Sequence, residues 1–177
     1  FPTVGGMRQP GTTCLIEDVA FHIEDLAEAV TDLSDLLEKH GYLDSCIYGH
    51  ALEGNFHFII NQSFATEEDV RRYKSMINDV AALVVDKYDG SLKAEHGTGR
   101  NMAPYVEYEW GSRAFEVMKK IKEIFDPHNL LNPGVIFNED PECCFKNFKA
   151  LPLLAPAEGA GDDMKEAFVR LNKCIEC

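Results

Sequence analysis

The order in which hydrophobic periodicities follow one another is the feature that most constrains the fold of this chain. Segments with the period and residue types of strands alternate with segments whose apolar residues recur at helical spacing. In order, the pattern predicts a strand at 12–22, a helix at 24–40, strands at 43–48 and 56–61, a long helix after Thr66 and a short strand at 91–94.

This β-α-β-β-α-β order predicts an α+β fold of the ferredoxin-like (split β-α-β) kind. In such a fold an antiparallel sheet carries its helices on one face. A C-terminal amphipathic helix is predicted at 112–125 and is stopped by Asp126-Pro127. Beyond that point Pro and Gly become frequent and periodicity fades, which predicts a linker. We therefore expect a domain at 1–140, then a linker and the truncated start of a further domain at 141–177.

Charge and cysteine content narrow the classes of partner and compartment. The chain has 17 Lys and Arg against 30 Asp and Glu, a formal net charge of −13. An acidic surface argues against nucleic acid or anionic lipid as the main partner. No apolar run approaches the roughly 18 to 20 residues that span a bilayer, and no signal peptide is evident. Six cysteines are too few for a disulfide scaffold and indicate a reducing cytoplasm. Both ends suggest a piece of a longer protein.

The first cluster with chemical potential is His50 and His57, which a Glu-Gly-Asn sequence separates. Positions seven apart face opposite sides of a continuous strand, because side chains alternate with a period of two. The turn residues predict instead that the chain reverses and brings both imidazoles together. Imidazole suits Zn, Fe, Mn or Co. Taken alone, the pair is also typical of two unrelated histidines that flank a hairpin.

The second cluster is Glu95 and His96, which end the last predicted strand and run into the glycine turn at 97–99. His50, His57 and Glu95 would form the two-His, one-Glu set with an open position that a catalytic metal needs. Taken alone, Glu95 and His96 also fit an incidental surface turn. With the second and fourth strands parallel and the third antiparallel to them, the predicted sheet would place both clusters at one edge.

Two other features are less specific. Arg8 and Thr12 stand four apart near the entry to the first strand, and Arg binds carboxylates in bidentate pairs, although a solvated loop charge explains Arg8 equally simply. Cys174 and Cys177 form a CxxC at the end of the chain. That spacing begins some iron–sulfur ligand runs, forms half of a zinc site or makes a redox pair. Two cysteines do not complete a four-thiolate cluster.

Taken together, several segments resemble a known family. The segments are 49–57, 95–99, 125–127 and 131–134. They are similar to the C-terminal domain of FAD-linked 2-hydroxyacid dehydrogenases of the vanillyl-alcohol-oxidase superfamily, which oxidise D-lactate, D-2-hydroxyglutarate or glycolate. Bacterial fusions with an Fe–S domain after the flavin part look most alike. The resemblance covers about residues 1–140 and the cysteine tail.

The resemblance implies a metal site and a base. His50, His57 and Glu95 would hold a divalent ion, usually Zn, and His96 would remove the proton of the substrate hydroxyl. Hydride would pass to FAD, which a domain absent from this chain mainly binds. The expected reaction converts a D-2-hydroxy acid, D-lactate-like, to the 2-keto acid.

The resemblance also assigns roles outside the metal site. Arg8 and Thr12 would contact the substrate carboxylate, and Asn132 would lie near FAD. Cys174 and Cys177 would begin the Fe–S cluster of the full-length protein. The partners implied are the flavin-binding and Fe–S domains of the parent chain and an undetermined electron acceptor, with any contact to the inner membrane made through partners. The isolated chain is expected to be inactive.

Two positions depart from the family pattern. Some members have Asn two residues after the second metal histidine, where this chain has Ile59, and some have a Lys near Ile16, where none is found. These departures leave the substrate open, dicarboxylic acids above all. A different class of function also stays open, that of a non-catalytic ferredoxin-like module that binds a metal or small ligand.

Overall fold

The secondary structure confirms the predicted α+β class. The structure, a computed structural model, describes residues 6–148 and 153–172. The strands are β1 (Thr13–Ala20), β2 (Cys46–His50) and β3 (Asn55–Gln62). The helices are α1 (Leu26–Lys39), α2 (Glu67–Ala82), α3 (Val106–Phe125) and α4 (Asp162–Leu171). Short 3-10 turns lie at Ile23–Asp25, Ala51–Glu53, Ala103–Tyr105 and Cys143–Phe145, and a π-helical turn, Leu83–Lys87, extends α2.

The three strands form one antiparallel sheet in the order β1-β3-β2. Directly opposed residues point to the same face of such a sheet. One row across the sheet is Asp18, His57 and Tyr48, and the row beside it begins with Asn55 opposite His50. These five residues define what we call the site face, and the opposite surface is the core face.

The core face carries the hydrophobic core, because α1 and α2 pack against it. Val19, Phe58 and Ile60 of the sheet are each 1% exposed. The helical residues buried in the same cluster include Leu33 and Leu37 of α1 and Tyr73, Met76, Ile77 and Val80 of α2. Their spacing is the apolar stripe that the sequence predicts.

Thr66, after which the sequence predicts the long helix, is the N-cap of α2. Thr66 Oγ1 accepts a hydrogen bond from the amide of Asp69 at 3.1 Å, and Asp69 Oδ2 accepts from the amide of Thr66 at 3.0 Å. This reciprocal pair is a capping box with Asp in the place of Glu or Gln. Two of the four amides that a helix start leaves without partners are thereby satisfied.

The predicted strand at 91–94 is wrong, and the ferredoxin-like arrangement is therefore not complete. Among the described residues, this segment forms a single isolated antiparallel bridge, between Ala20 and Ser91. The amides of Ala94, Glu95 and His96 donate to the side chain of Asp18 instead of to the backbone of β1. A full antiparallel strand would carry the chain back along β1, away from the edge. The turn around Asp18 stops it there, so the expected parallel alignment of second and fourth strands has no counterpart.

The C-terminal part differs from prediction at its boundaries. Helix α3 begins at Val106 rather than at 112, and Gly111 interrupts it with φ 75° and ψ 156°. Within the predicted linker, Phe145 is buried and Phe148 stacks on Phe64 with ring centroids 3.8 Å apart. The segment after residue 140 therefore packs on the core before the chain reaches α4, and the domain boundary stays a prediction. In the described residues, no helix is both long and apolar enough to cross a membrane.

Candidate metal centre and active site

A tight hairpin brings His50 and His57 together. After His50 the chain makes a 3-10 turn and reverses at Gly54, whose φ is 68°. A Cβ at Gly54 would lie 2.1 Å from the carbonyl oxygen of Phe21, so glycine is required by both conformation and space. The two imidazole rings end 5.7 Å apart in an edge-to-face arrangement.

Glu95 completes a group of three metal-type donors with the two histidines. Its Oε1 lies 2.9 Å from Nε2 of His57 and 3.3 Å from Nε2 of His50. One ligand atom from each residue lies within 4.8 Å of the others. The His57 side chain is 5% exposed, whereas those of His50 and Glu95 are 61% and 51% exposed. The group therefore has a buried inner ligand and an open outer side, as a catalytic metal site needs.

His96 lies against the same group. Its ring stacks on that of His57 with centroids 4.8 Å apart and planes 14° apart. The ring of Tyr48 contacts His57 as well, at 5.2 Å and with a tilt of 45°. His96 is exposed, so a molecule that reaches the open side of the three donors also reaches this imidazole.

Asp18 accepts hydrogen bonds from several groups around the site, and the sequence analysis did not identify it as a site residue. Its Oδ2 accepts the amides of Ala94, Glu95 and His96 at 3.0, 2.9 and 2.9 Å, and its Oδ1 accepts Nδ2 of Asn55 at 2.6 Å. Burial acts to raise the pKa of Asp18, but these hydrogen bonds outweigh it and hold the pKa below its ordinary value. The available signal was an acidic residue inside a predicted buried strand, where a carboxylate needs partners.

A cavity of 570 Å³ opens beside the donors. Its lining includes His50, Asn55, Lys93 and Glu95. Lys93 Nζ lies 2.5 Å from Oε2 of Glu17, which faces the core side of β1. Burial raises the pKa of Glu17, and the attraction of Lys93 offsets only part of this effect. The volume of the cavity lies within the range of small-ligand pockets, and polar side chains, those of His50, Asn55 and Glu95 among them, form part of its lining.

The turn that contains Asn132 is anchored to the glycine turn after His96. The amide of Ile136 donates to the carbonyl of Gly99 at 3.1 Å, and Arg100 Nη2 donates to the carbonyl of Pro133 at 3.2 Å. Asn132 is exposed and has a positive φ of 46°. Its position next to this turn is an observation, and its proximity to FAD stays a prediction.

The other predicted site residues lie outside the cluster of donors. Arg8 is 3% exposed and donates to the carbonyl of Asn172 at 3.2 Å, and Thr12 Oγ1 donates to the carbonyl of Gln9 at 2.7 Å. Neither of these two contacts joins them to the histidines. The predicted Fe–S ligands, Cys174 and Cys177, fall outside the described residues.

The two departures from the family pattern are neighbours in space. Ile16 and Ile59 oppose each other in the register of β1 and β3. They form the row next to Asp18 and His57 on the site face, and Ile59 is 0% exposed. The row beside the candidate metal ligands is therefore apolar.

Comparison with known proteins gives a family match and several relatives. Residues 1–136 match the family described as FAD linked oxidases, C-terminal domain. The D-lactate dehydrogenase [cytochrome], mitochondrial, of Arabidopsis thaliana is 34% identical over 136 residues, which cover 77% of this chain and 23% of that protein. The D-2-hydroxyglutarate dehydrogenase of Escherichia coli is 36% identical over 120 residues, covering 68% of this chain and 12% of its own length.

A third relative also matches most of this chain with a minor part of its own length. The glycolate oxidase subunit GlcD of Bacillus subtilis is 29% identical over 128 residues, which cover 72% of this chain and 27% of that subunit. The chain thus spans about a quarter or less of the length of these relatives.

Proposed function

Because the chain belongs to the family of FAD-linked oxidase C-terminal domains, we propose that it forms the substrate- and metal-binding part of an FAD-dependent dehydrogenase. The proposed reaction oxidises a D-2-hydroxy acid of the D-lactate kind to its 2-keto acid. The observation that carries this proposal is the convergence of His50, His57 and Glu95 beside His96.

The relatives support the substrate class. Their names refer to glycolate, D-lactate and D-2-hydroxyglutarate, which are all 2-hydroxy acids. Because this chain corresponds to a minor part of each relative, the activity belongs to the whole parent protein. We propose that the parent also has the flavin-binding domain, an Fe–S domain that Cys174 and Cys177 begin, and a route to an electron acceptor. The isolated chain would have no turnover.

The donor set fits a divalent ion, with zinc as the first candidate. Two imidazoles and one carboxylate are ligands that zinc takes in catalytic sites, where a fourth position stays open. The buried Nδ1 of His57 has no hydrogen-bond partner among the described residues. Hydrogen bonds among these residues therefore do not fix the orientation of the ring, and a bound ion would fix it. Bound there, the ion would act as a Lewis acid on the α-hydroxyl and carboxylate of the substrate.

His96 is the proposed base for the hydroxyl proton. An imidazole accepts protons near neutral pH, and general bases must lie within hydrogen-bond reach of the proton they remove. Stacking on His57 holds the His96 ring beside the donors. FAD would supply the hydride acceptor, because flavins carry the redox chemistry in such enzymes. The Asn132 turn, anchored beside His96, is proposed to face it.

Substrate contacts are proposed for Arg8 and Thr12 near the start of β1. Burial raises the pKa of Cys14, and the nearby charge of Arg8 offsets part of this effect. Cys14 shares the site face with Asp18, four residues further on. The apolar row of Ile16 and Ile59 favours a small apolar substituent such as the methyl of lactate. A second carboxylate there would be desolvated without a partner.

Metal analysis of the purified protein tests the proposal. Wild type should hold about one divalent ion per chain. The variants His50→Ala and Glu95→Ala should lose it, because each removes one of three ligands. His22→Ala is the matched control, since His22 is exposed and outside the donor group. The same metal content in all four proteins would contradict the assigned ligands.

Flavin reduction tests the reaction. The parent protein, mixed anaerobically with D-lactate, should lose its oxidised flavin absorbance, and His96→Gln should slow this loss while the metal content stays unchanged. A metal site without any reduction by 2-hydroxy acids would support the non-catalytic binding module instead.

We propose a cytoplasmic location, with membrane contact only through partners.

A further inference from the structure

Asp18 contacts both halves of the proposed metal site, although it has no place among the proposed ligands. We infer that Asp18 is a positioning residue that orients His57 for ligation and fixes the backbone of Glu95 and His96. This inference rests on the proposed function for its metal part. Its effect on the backbone holds with or without an ion.

The first contact of Asp18 is with the turn. Its Oδ2 accepts three consecutive amides, those of Ala94, Glu95 and His96, at 2.9 to 3.0 Å. Three amides that converge on one oxygen form a concave anion nest, and bonds to a charged acceptor are stronger than neutral ones. The nest ends the segment that runs along β1. It also sets the direction in which the side chains of Glu95 and His96 leave the backbone.

The second contact of Asp18 is with His57. Nδ1 of His57 is buried and has no hydrogen-bond partner within the part of the chain that the structure describes. Asp18 Oδ1 lies 3.7 Å from it, and Nε2 on the other side of the ring lies 2.9 Å from Glu95. A carboxylate beside Nδ1 favours the tautomer with the proton there, which leaves Nε2 as the donor to a metal.

Asn55 makes an isosteric test practicable. Its Nδ2 donates to Asp18 and to the carbonyl of Val19, while its Oδ1 is buried without a partner among the described residues. After Asp18→Asn the new carboxamide can keep accepting amides from the turn and donate to Oδ1 of a reoriented Asn55. The same carboxamide can donate towards His57 Nδ1. It would then favour the wrong tautomer, as in catalytic triads when Asp is replaced by Asn.

Glu17 provides the matched control. It precedes Asp18 on β1, is 4% exposed against 0% for Asp18, and has buried polar contacts of its own. Those contacts are with the side chains of Lys93 and Asn101 on the core side of the strand. Glu17→Gln therefore changes a buried carboxylate of the same strand that hydrogen-bonds to Lys93 and Asn101 rather than to the amides of the nest or to His57.

The experiment has a metal arm and an exchange arm, both on purified protein. In the metal arm, competition with a chelator measures Zn²⁺ affinity. Asp18→Asn should weaken it about 10- to 100-fold, the usual effect of losing an outer-shell partner, while Glu17→Gln keeps the wild-type value. In the exchange arm, hydrogen exchange of the metal-free protein should speed up about 10- to 100-fold at amides 94–96 in Asp18→Ala, and not in Glu17→Gln.

The outcomes separate this inference from the proposed function. Wild-type Zn²⁺ affinity in Asp18→Asn, with His50→Ala unable to bind, would overturn the role in ligation and leave the proposed metal site standing. Unchanged exchange at 94–96 in Asp18→Ala would overturn the role in fixing the turn, whatever the metal result. A wild type that binds no ion, with fast exchange in Asp18→Ala, would refute the proposed metal site and support the nest.

Discussion

The two faces of the sheet differ in what holds them together. The core face presents Val19, Phe58 and Ile60 to two helices, and the contacts of these three residues are apolar. The site face presents Asp18 and His57 to a turn, and its contacts are hydrogen bonds, ring stacking and close nitrogen–oxygen pairs. We infer that one face supplies most of the folding free energy and that the other arranges chemistry on this support.

Strand β1 shows the contrast within two consecutive residues. Glu17 faces the core side, where burial raises its pKa. Asp18 faces the site, where the backbone amides of the turn hold its pKa below the ordinary value. The pKa values of these adjacent carboxyl groups therefore shift in opposite directions, because only Asp18 has enough hydrogen-bond donors to outweigh the effect of burial. Substitutions on each face should accordingly separate stability from activity.

The largest expected effect is on catalysis and comes from the site side. His96→Gln in the parent protein should lower kcat about 10²- to 10⁴-fold, the usual contribution of a general base. Steady-state kinetics with D-lactate measure it, and thermal unfolding serves as the control for folding. A variant with near wild-type kcat would show that another group takes the hydroxyl proton.

The next effect is on stability and comes from the core face. Phe58→Ala should lower the free energy of unfolding by about 3–5 kcal/mol, because a buried aromatic ring is replaced by a cavity. Urea unfolding measures the change. The Zn²⁺ affinity of the molecules that remain folded should stay at the wild-type value. Loss of metal from a folded Phe58→Ala protein would break the separation between the two faces.

A smaller effect is expected at the hairpin that joins β2 and β3. Gly54→Ala places a Cβ against the carbonyl of Phe21 at a positive φ, whereas Gly97→Ala meets nothing within 4 Å at a similar φ of 74°. Backbone strain at a positive φ costs on the order of 1–3 kcal/mol. Gly97→Ala should therefore lower the free energy of unfolding by that amount, and Gly54→Ala should lower it distinctly more. Equal unfolding midpoints in urea would show that the contact with Phe21 is not limiting.

Loss of the α2 cap should have a more modest effect. Thr66→Ala removes one half of the capping box and should lower the free energy of unfolding by about 1 kcal/mol. Urea unfolding measures this, and metal affinity should not change. A protein as stable as wild type would mean that water replaces the lost acceptor at no cost.

The smallest effect is a pH dependence that belongs to the core face. The folded protein keeps a proton on Glu17 above the ordinary pKa of 4.5, where the unfolded chain has lost it. Stability from this group is therefore present at low pH and falls as pH rises through the raised folded pKa. Glu17→Gln should show a weaker decline in unfolding midpoint from about pH 4.5 upward. Parallel curves for the two proteins would contradict the raised pKa.

Local signals in the sequence were enough for helices α1 and α2 and for the hairpin. The cap at Thr66 and the Glu-Gly-Asn turn before His57 act over a few residues, so their patterns are visible without a structure. The strand predicted at 91–94 fails for a different reason. Asp18 captures amides that lie 76 to 78 residues away, and no local pattern reports that contact.

The candidate site shows the same limit. The donor types of His50, His57 and Glu95 predicted a shared metal site, and the structure brings the three side chains together by a route other than the predicted fourth strand. The sequence analysis placed Glu95 at the end of a strand. In the structure, the hydrogen bonds of the nest to Asp18 hold Glu95 beside the two histidines instead. The role inferred for Asp18 needed coordinates, because its meaning lies in which groups surround it.

The most direct test of the account is a crystal structure of the parent protein with Zn²⁺, recorded at the zinc absorption edge. The account predicts one anomalous peak at about 2.0–2.2 Å from Nε2 of His50, Nε2 of His57 and Oε1 of Glu95, with His96 beside it. An anomalous peak at other residues, or none at this group in a zinc-saturated crystal, would contradict the proposed metal centre.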